Sequence, residues 1–197
     1  GRHRPDAKRR IEEYLEKVVP GVHSVEPKAI MEKETIEFRQ EVAGARDPWR
    51  FHATNMSDGT LRVLGTLVAL FQSLNGEGMR VPLVAIEEPE IALHPGAAGI
   101  LRDSLRDASL GTQVIVTSHS PDLLDDAGIP ADSILAVSSE GGTTQIARPE
   151  EAARSALRDR LYTAGELLRM NQLVPDLDAV KAALDVQVEL FKDVPGA

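Results

Sequence analysis

The sequence predicts an α/β fold: a parallel sheet with helices on both faces, followed by an antiparallel hairpin and C-terminal helices. Three observations carry that prediction. Val81-Pro82-Leu83-Val84-Ala85-Ile86 is a run without a charge, as in a strand buried on both faces of a parallel sheet, and it stops abruptly at Glu87-Glu88. Gln113-Val114-Ile115-Val116-Thr117 is a second buried strand and stops at Ser118-His119. Between them residues 97–108 read as one helix, so strand, helix and strand form a βαβ unit with parallel neighbouring strands. Glu88 and His119 therefore leave the sheet at the same end, the end at which open α/β sheets place their ligands.

The other elements follow in chain order. Arg2, Arg4, Lys8, Arg9 and Arg10 precede a helix whose apolar face, Ile11, Tyr14, Leu15 and Val18, follows the i, i+3, i+4, i+7 pattern and ends at Pro20-Gly21. The basic cluster reads as a phosphate-contacting patch or as a solvated helix start, and the acidity of the chain favours the second. Ile36, Phe38 and Val42 alternate with Glu37, Arg39 and Glu41, which predicts a half-buried strand over 34–42 with 22–30 as its antiparallel partner. Trp49 and Phe51 are expected as packing anchors.

Ser57 is a good N-cap for a helix carrying Leu61, Leu64, Val68 and Phe71, and Asp58 suits the positive end of its dipole. Gly59 costs that first turn about 1 kcal/mol relative to alanine, and makes sense if a ligand must approach the backbone closely. A hydroxyl, a bare glycine N–H and a helix N-terminus together make an anion site, although capping alone accounts for the same residues.

Asn75-Gly76-Glu77-Gly78 is a turn into the central strand, 89–95 is a loop, and Gly111 closes the helix that follows. Residues 121–127 read as a short helix, and 133–137 with 143–147 as a hairpin around Gly141-Gly142. Helices over 149–170 and 176–191 close the chain, with Glu151, Arg154 and Arg158 on an exposed face.

A chain of 197 residues buries one substantial core, and its 42% hydrophobic and 27% charged residues are ordinary for a globular protein. No apolar run reaches membrane-spanning length and no signal peptide is evident, so no membrane partner is expected. The absence of cysteine excludes disulfides and thiolate metal sites and makes a cytoplasmic home the simple inference. A net charge of −9 excludes a general nucleic-acid coat, so any DNA contact would need a local patch such as Arg2, Arg4, Lys8, Arg9 and Arg10.

Two adjacent carboxylates at a strand end repel each other unless a cation or a proton-transfer task compensates them. Taken alone, they read equally well as a solvated acidic loop. In order, however, the chain has a Ser-x-Gly helix start, a strand ending in Glu-Glu and a strand ending in His. With these spacings it resembles, over roughly residues 10–170, the C-terminal lobe of ABC-type ATPases of the RecF/SMC/OLD-like group, the AAA-family ATPases. The resemblance implies a P-loop NTPase fold of the ABC-type head. It places Ser57, Asp58, Gly59 and Thr60 at the signature motif, residues 83–88 at Walker B, Leu93-His94-Pro95 at the D-loop and His119 at the switch histidine.

It further implies ATP and Mg²⁺ as cofactors, with Glu87 on the metal, Glu88 as the base that orients the attacking water, and His119 at the γ-phosphate. Ser57 and Gly59 would cradle the same phosphate from a second head, so that a homodimer closes on ATP. Glu87 stands where many relatives have Asp, and no Gly-x-x-x-x-Gly-Lys-[Ser/Thr] occurs in the chain. Because the chain also opens on Gly1, residues 1–197 are expected to be a single C-terminal lobe whose Walker A lobe is supplied elsewhere. An interaction module in which nucleotide gates docking to DNA or a nuclease is the alternative. A transporter ATPase and a plain structural βα domain fit the ordered motifs less well, and no Toprim-like nuclease segment is present.

Overall fold

The computed structural model describes residues 5–72 and 81–182, and the chain divides into two compact units, Gly1–His119 and Ser120–Ala197. Arg2 and Arg4, the turn expected at 75–78 and the end of the last expected helix lie outside the described residues; 177–182 is helical.

The first unit opens with α1 (Pro5–Val18), whose Tyr14 and Leu15 are buried as the apolar spacing requires. Gly21, at φ +88°, makes the left-handed turn out of that helix at little steric cost. Strands β1 (Val22–Ile30) and β2 (Lys33–Gln40) form the expected antiparallel pair, and β3 (Trp49–His52) adds to the other side of β2. Val25, Phe38 and Phe51 fall in one cross-strand row, and Phe38 is completely buried. Trp49 is not the packing anchor expected of it. At the start of an outer strand it is 55% exposed, tilted against Phe51 with ring centroids 6.1 Å apart.

Helix α2 (Asp58–Phe71) crosses this core and buries Val63, Leu64, Leu67, Leu70 and Phe71. Its stripe is rotated from the expected one, for Val68 faces outward and Leu61 is only partly covered. Tyr14 stacks on Phe71 at 5.6 Å with the ring planes 10° apart, which joins α1 to α2.

Strands β4 (Leu83–Glu87) and β5 (Gln113–Thr117) are parallel, in register from Leu83 opposite Gln113 to Glu87 opposite Thr117. They are joined through α3 (Ala98–Ser109), as a βαβ unit demands. Arg10 Nε donates to Asp107 of α3 at 2.6 Å and the Tyr14 hydroxyl donates to the same carboxylate at 3.3 Å. That hydrogen bond holds the Arg10 guanidinium still more firmly in its charged form, while burial, with Asp107 beside it, pushes the Tyr14 phenol up.

The two-sided burial expected of these strands is not observed. Val84, Ile86 and Val114 join the core with α1, α2 and α3, while Leu83 and Ile115 on the other face are 43% and 48% exposed. An apolar run reports that both faces suit burial, not that this chain supplies both covers.

In the second unit, α4 (Pro121–Leu124) is followed by a hairpin of β6 (Ala136–Glu140) and β7 (Thr143–Ala147). Gly141 and Gly142 have φ of +58° and +82°, the positive pair that a tight two-residue turn needs. The first strand is therefore shifted from the expected 133–137. The helix expected over 149–170 is two, α5 (Glu151–Arg158) and α6 (Ala164–Arg169). Arg160 turns left-handed at φ +56°, and Thr163 with Glu166 forms a capping box that starts α6. Glu151 pairs with Arg154 and Arg158, and the Arg158 contact holds its carboxyl below the usual range. Ala131, Ile134, Leu157, Ala164 and Leu167 form this unit's core. Among the described residues no helix is long and apolar enough to cross a membrane.

Candidate active site

The parallel register of β4 and β5 decides where the chemistry gathers. Both strands run out at the same edge, and the ladder makes one last step, the Glu88 N–H donating to the Thr117 carbonyl at 3.0 Å. Past that step Glu88 Oε1 stands 3.2 Å from His119 Nε2. The expected meeting of acid and imidazole is thus present. The imidazole is 91% exposed and the carboxylate 29%, so the pair opens outward while the acid is partly sheltered.

Glu88 adopts φ +44°, and Ala92 four residues on adopts φ +66°. Residues with a Cβ pay roughly 1–3 kcal/mol for such backbone, which persists only where the surroundings enforce it. Here the enforcing contacts are visible. Pro89 is fully buried, and the N–H groups of Ile91 and Leu93 donate back to the carbonyls of Glu88 and Glu90 at 3.1 and 3.0 Å. The Glu90 carboxylate accepts a hydrogen bond from Ser118 Oγ, immediately before His119.

The start of α2 meets the same loop. Ser57 is the N-cap: its hydroxyl accepts from the Thr60 N–H at 3.2 Å and lies 2.9 Å from Thr60 Oγ1. Gly59 is buried, and a Cβ built on it would lie 2.4 Å from the Ala92 carbonyl oxygen. The close approach that Gly59 permits is therefore made by the chain itself. The loop after Glu88 is seated on the first turn of α2, which resolves the puzzle of a glycine in a helix start without invoking a ligand. Replacing Ser57 by alanine removes the cap and should cost about 1 kcal/mol, lowering the unfolding midpoint by about 2–4 °C. A thermal melt of this chain checks it.

Other expected site residues stand apart. Glu87 is exposed at the strand end, and its carboxylate has no hydrogen bond or ion pair among the described residues. Such an open, hard carboxylate fits a Mg²⁺ that arrives with phosphate, which uses one or two carboxylates and fills the rest of its shell with water and phosphate oxygens. It does not fit a protein-only cage, and no group of three acidic or imidazole side chains suited to a metal occurs among the described residues. Asp58 is exposed in the first turn of α2, while His94 is exposed and accepts the Gly96 N–H on Nδ1 at 3.1 Å. Of the basic cluster, Lys8 pairs with Glu12 and Glu26, Arg9 with Asp6 and Glu13, and Arg10 with Glu13 and Asp107.

Sequence reasoning did not assign Glu90, Ser118 or Ala92 to the site. Ser118 adjoins His119 and Glu90 lies two residues past Glu88, but nothing in a single sequence signals a side-chain tie between the segments that follow two strands.

Solved structures place this architecture. An SMC ATPase, from work on ATP-driven dimerization and DNA stimulated activation of SMC ATPases, superposes with a TM-score of 0.52 at 16% identity, over 79% of this chain and 90% of that one. The Smc head domain of Pyrococcus furiosus, with an extended coiled coil and bound to the C-terminal domain of ScpA, gives 0.55 at 15% identity, over 79% and 37%. That of Pyrococcus yayanosii, with a coiled coil and joint, gives 0.53 at 17%, over 79% and 29%. The chain thus spans most of the first chain and well under half of the other two. At these identities the likeness is one of fold, the P-loop NTPase fold of SMC ATPase heads. No curated protein gives a significant match. The family described as "AAA domain, putative AbiEii toxin, Type IV TA system" matches residues 3–125, more than half of the chain, and the chain belongs to that AAA-domain family.

Proposed function

We propose that this chain is the C-terminal half of an ATP-binding and ATP-hydrolysing head that closes on ATP by pairing with a second head, in DNA repair, chromosome maintenance or phage defence. The observation that carries the reading is the Glu88–His119 pair, 3.2 Å apart at the end of a parallel β-pair. Phosphoryl transfer to water needs a positioned nucleophile and neutralised phosphate charge, with little covalent chemistry from the protein. Glu88 orients the attacking water and takes its proton, His119 donates a hydrogen bond to a γ-phosphate oxygen, and Glu87 would hold Mg²⁺, which would neutralise phosphate charge. The exposed tip of α2, with the Ser57 hydroxyl and the Asp58 N–H, meets that phosphate from the partner head, with His94 beside it at the head interface, while Gly59 and Thr60 hold the tip in shape against the Ala92 loop and the Ser57 cap.

Two further observations support a missing half. The chain lacks the Walker A sequence, and the second face of β4–β5 is uncovered at Leu83 and Ile115. Among the described residues β4 and β5 pair only with each other, so a Walker A strand would pair with an outer edge of the two and the helix following it would lie on the face of Leu83 and Ile115. The SMC ATPases sharing the fold are described as dimerising under ATP. The test is to compare ATP turnover and dimerisation of this chain alone with those of the chain supplied with its Walker A half. Turnover and ATP-dependent dimers only in the completed head are expected. Turnover by the chain alone, abolished by Glu88→Gln, would overturn the half-head reading.

A nucleotide-gated docking module with little turnover is the second reading. It is favoured by the apolar face that Val137 and Ile146, paired across β6–β7, leave more than half exposed together with Leu135. Single-turnover kinetics beside a dimerisation assay separate the two.

A further inference from the structure

We propose that Glu90 is a positioning residue that holds Glu88 and His119 in working geometry through Ser118. This inference rests on the ATPase reading above. The backbone ladder joining β4 to β5 ends at the Glu88 N–H to Thr117 carbonyl bond. Beyond it the two segments leave the sheet, and the Glu90 side chain makes the next tie between them, accepting from Ser118 Oγ. Glu90 is two residues past Glu88, and Ser118 immediately precedes His119. That hydrogen bond therefore links the segments that carry the acid and the imidazole, beside the Glu88–His119 contact itself.

The second Glu90 oxygen, Oε2, is buried without a hydrogen-bond partner among the described residues. Burying a carboxylate oxygen unpaired is unfavourable, so packing alone gives no reason for an acid here. The tie to Ser118 gives one, since a carboxylate is the stronger acceptor for a hydroxyl. The segment after β4 is also under constraint, with Glu88 left-handed and Pro89 fully buried between Glu88 and Glu90, so a displacement of Glu90 on loss of the tie is passed to Glu88.

The test uses the completed head, with Glu90→Ala, Ser118→Ala, the double variant and Glu90→Gln. The two single alanine variants should each lower kcat about 10- to 100-fold, as small misplacements of catalytic groups do. KM for ATP should stay within about twofold, because in this proposal Glu90 acts through Ser118 and not on the nucleotide. The double variant should be no slower than the worse single one, since both remove the same bond. Glu90→Gln keeps an oxygen for the Ser118 hydroxyl and should restore kcat to within about threefold of the unmodified head. A silent Ser118→Ala, or a Glu90→Gln as slow as Glu90→Ala, would overturn the proposal.

A readout without turnover separates this proposal from the ATPase reading. In the present chain, the His119 imidazole resonances, assigned by His119→Gln, should shift in Glu90→Ala and Ser118→Ala and return in Glu90→Gln. If the completed head does not hydrolyse ATP, the ATPase reading fails while the resonances still report whether the tie sets the histidine. Resonances unmoved by either alanine variant overturn the tie itself.

Discussion

Glu88→Gln in the completed head should lower kcat for ATP hydrolysis by about 10²–10⁴-fold, equivalent to about 3–5 kcal/mol of barrier, while ATP binding persists. Glutamine preserves the size of the side chain and an oxygen that can still face a water, but it cannot accept that water's proton. It also keeps a Cβ at φ +44°, so the strained backbone is unchanged and the variant isolates the proton-accepting role. Steady-state turnover and equilibrium ATP binding, measured on the same preparation, check it. Loss of binding with the fold intact would mean that Glu88 holds nucleotide or metal and does not activate water.

The second large effect is a change of sign between two glycines of one helix. Gly65 lies in the exposed middle of α2 with nothing within 4 Å of a Cβ built on it, so Gly65→Ala should stabilise the chain by up to about 1 kcal/mol. Gly59→Ala gains the same helix propensity, yet its Cβ would meet the Ala92 carbonyl oxygen at 2.4 Å, well inside contact distance. Either α2 or the loop must move, and overpacking of this kind costs about 1–3 kcal/mol. Net destabilisation is expected, with a fall in kcat in the completed head because the displaced loop begins at Glu88. Thermal melts of the two variants decide it. A stabilised Gly59→Ala would show that the loop is not seated on α2 in solution.

That contrast also marks how far the sequence could be read. The βαβ order and the common exit of Glu88 and His119 were legible, because apolar runs report strands and right-handed crossovers are nearly obligatory. The single covered face of β4–β5 was not, for Leu83 and Ile115 look the same in sequence whether or not anything lies on them. Val68 was misplaced because a stripe of Leu and Val at several spacings fits more than one rotation of α2. The break between α5 and α6 could have been read from Thr163 and Glu166, whose spacing is that of a capping box. In the site, Ser57 was legible as a cap, but Gly59 has a cause, the Ala92 carbonyl, thirty-odd residues away that no local pattern could reveal. Glu90 and Ser118 were hidden for the same reason.

The account depends on the acid, the imidazole and the α2 start acting on one triphosphate. A structure of the completed head carrying Glu88→Gln, trapped with ATP and Mg²⁺, tests that most directly. The account predicts a γ-phosphate beside His119 and residue 88 of one head, Mg²⁺ on Glu87, and Ser57 of a second head on the far side of that phosphate. Nucleotide bound away from the Glu88–His119 edge, or heads paired through another surface, would contradict it.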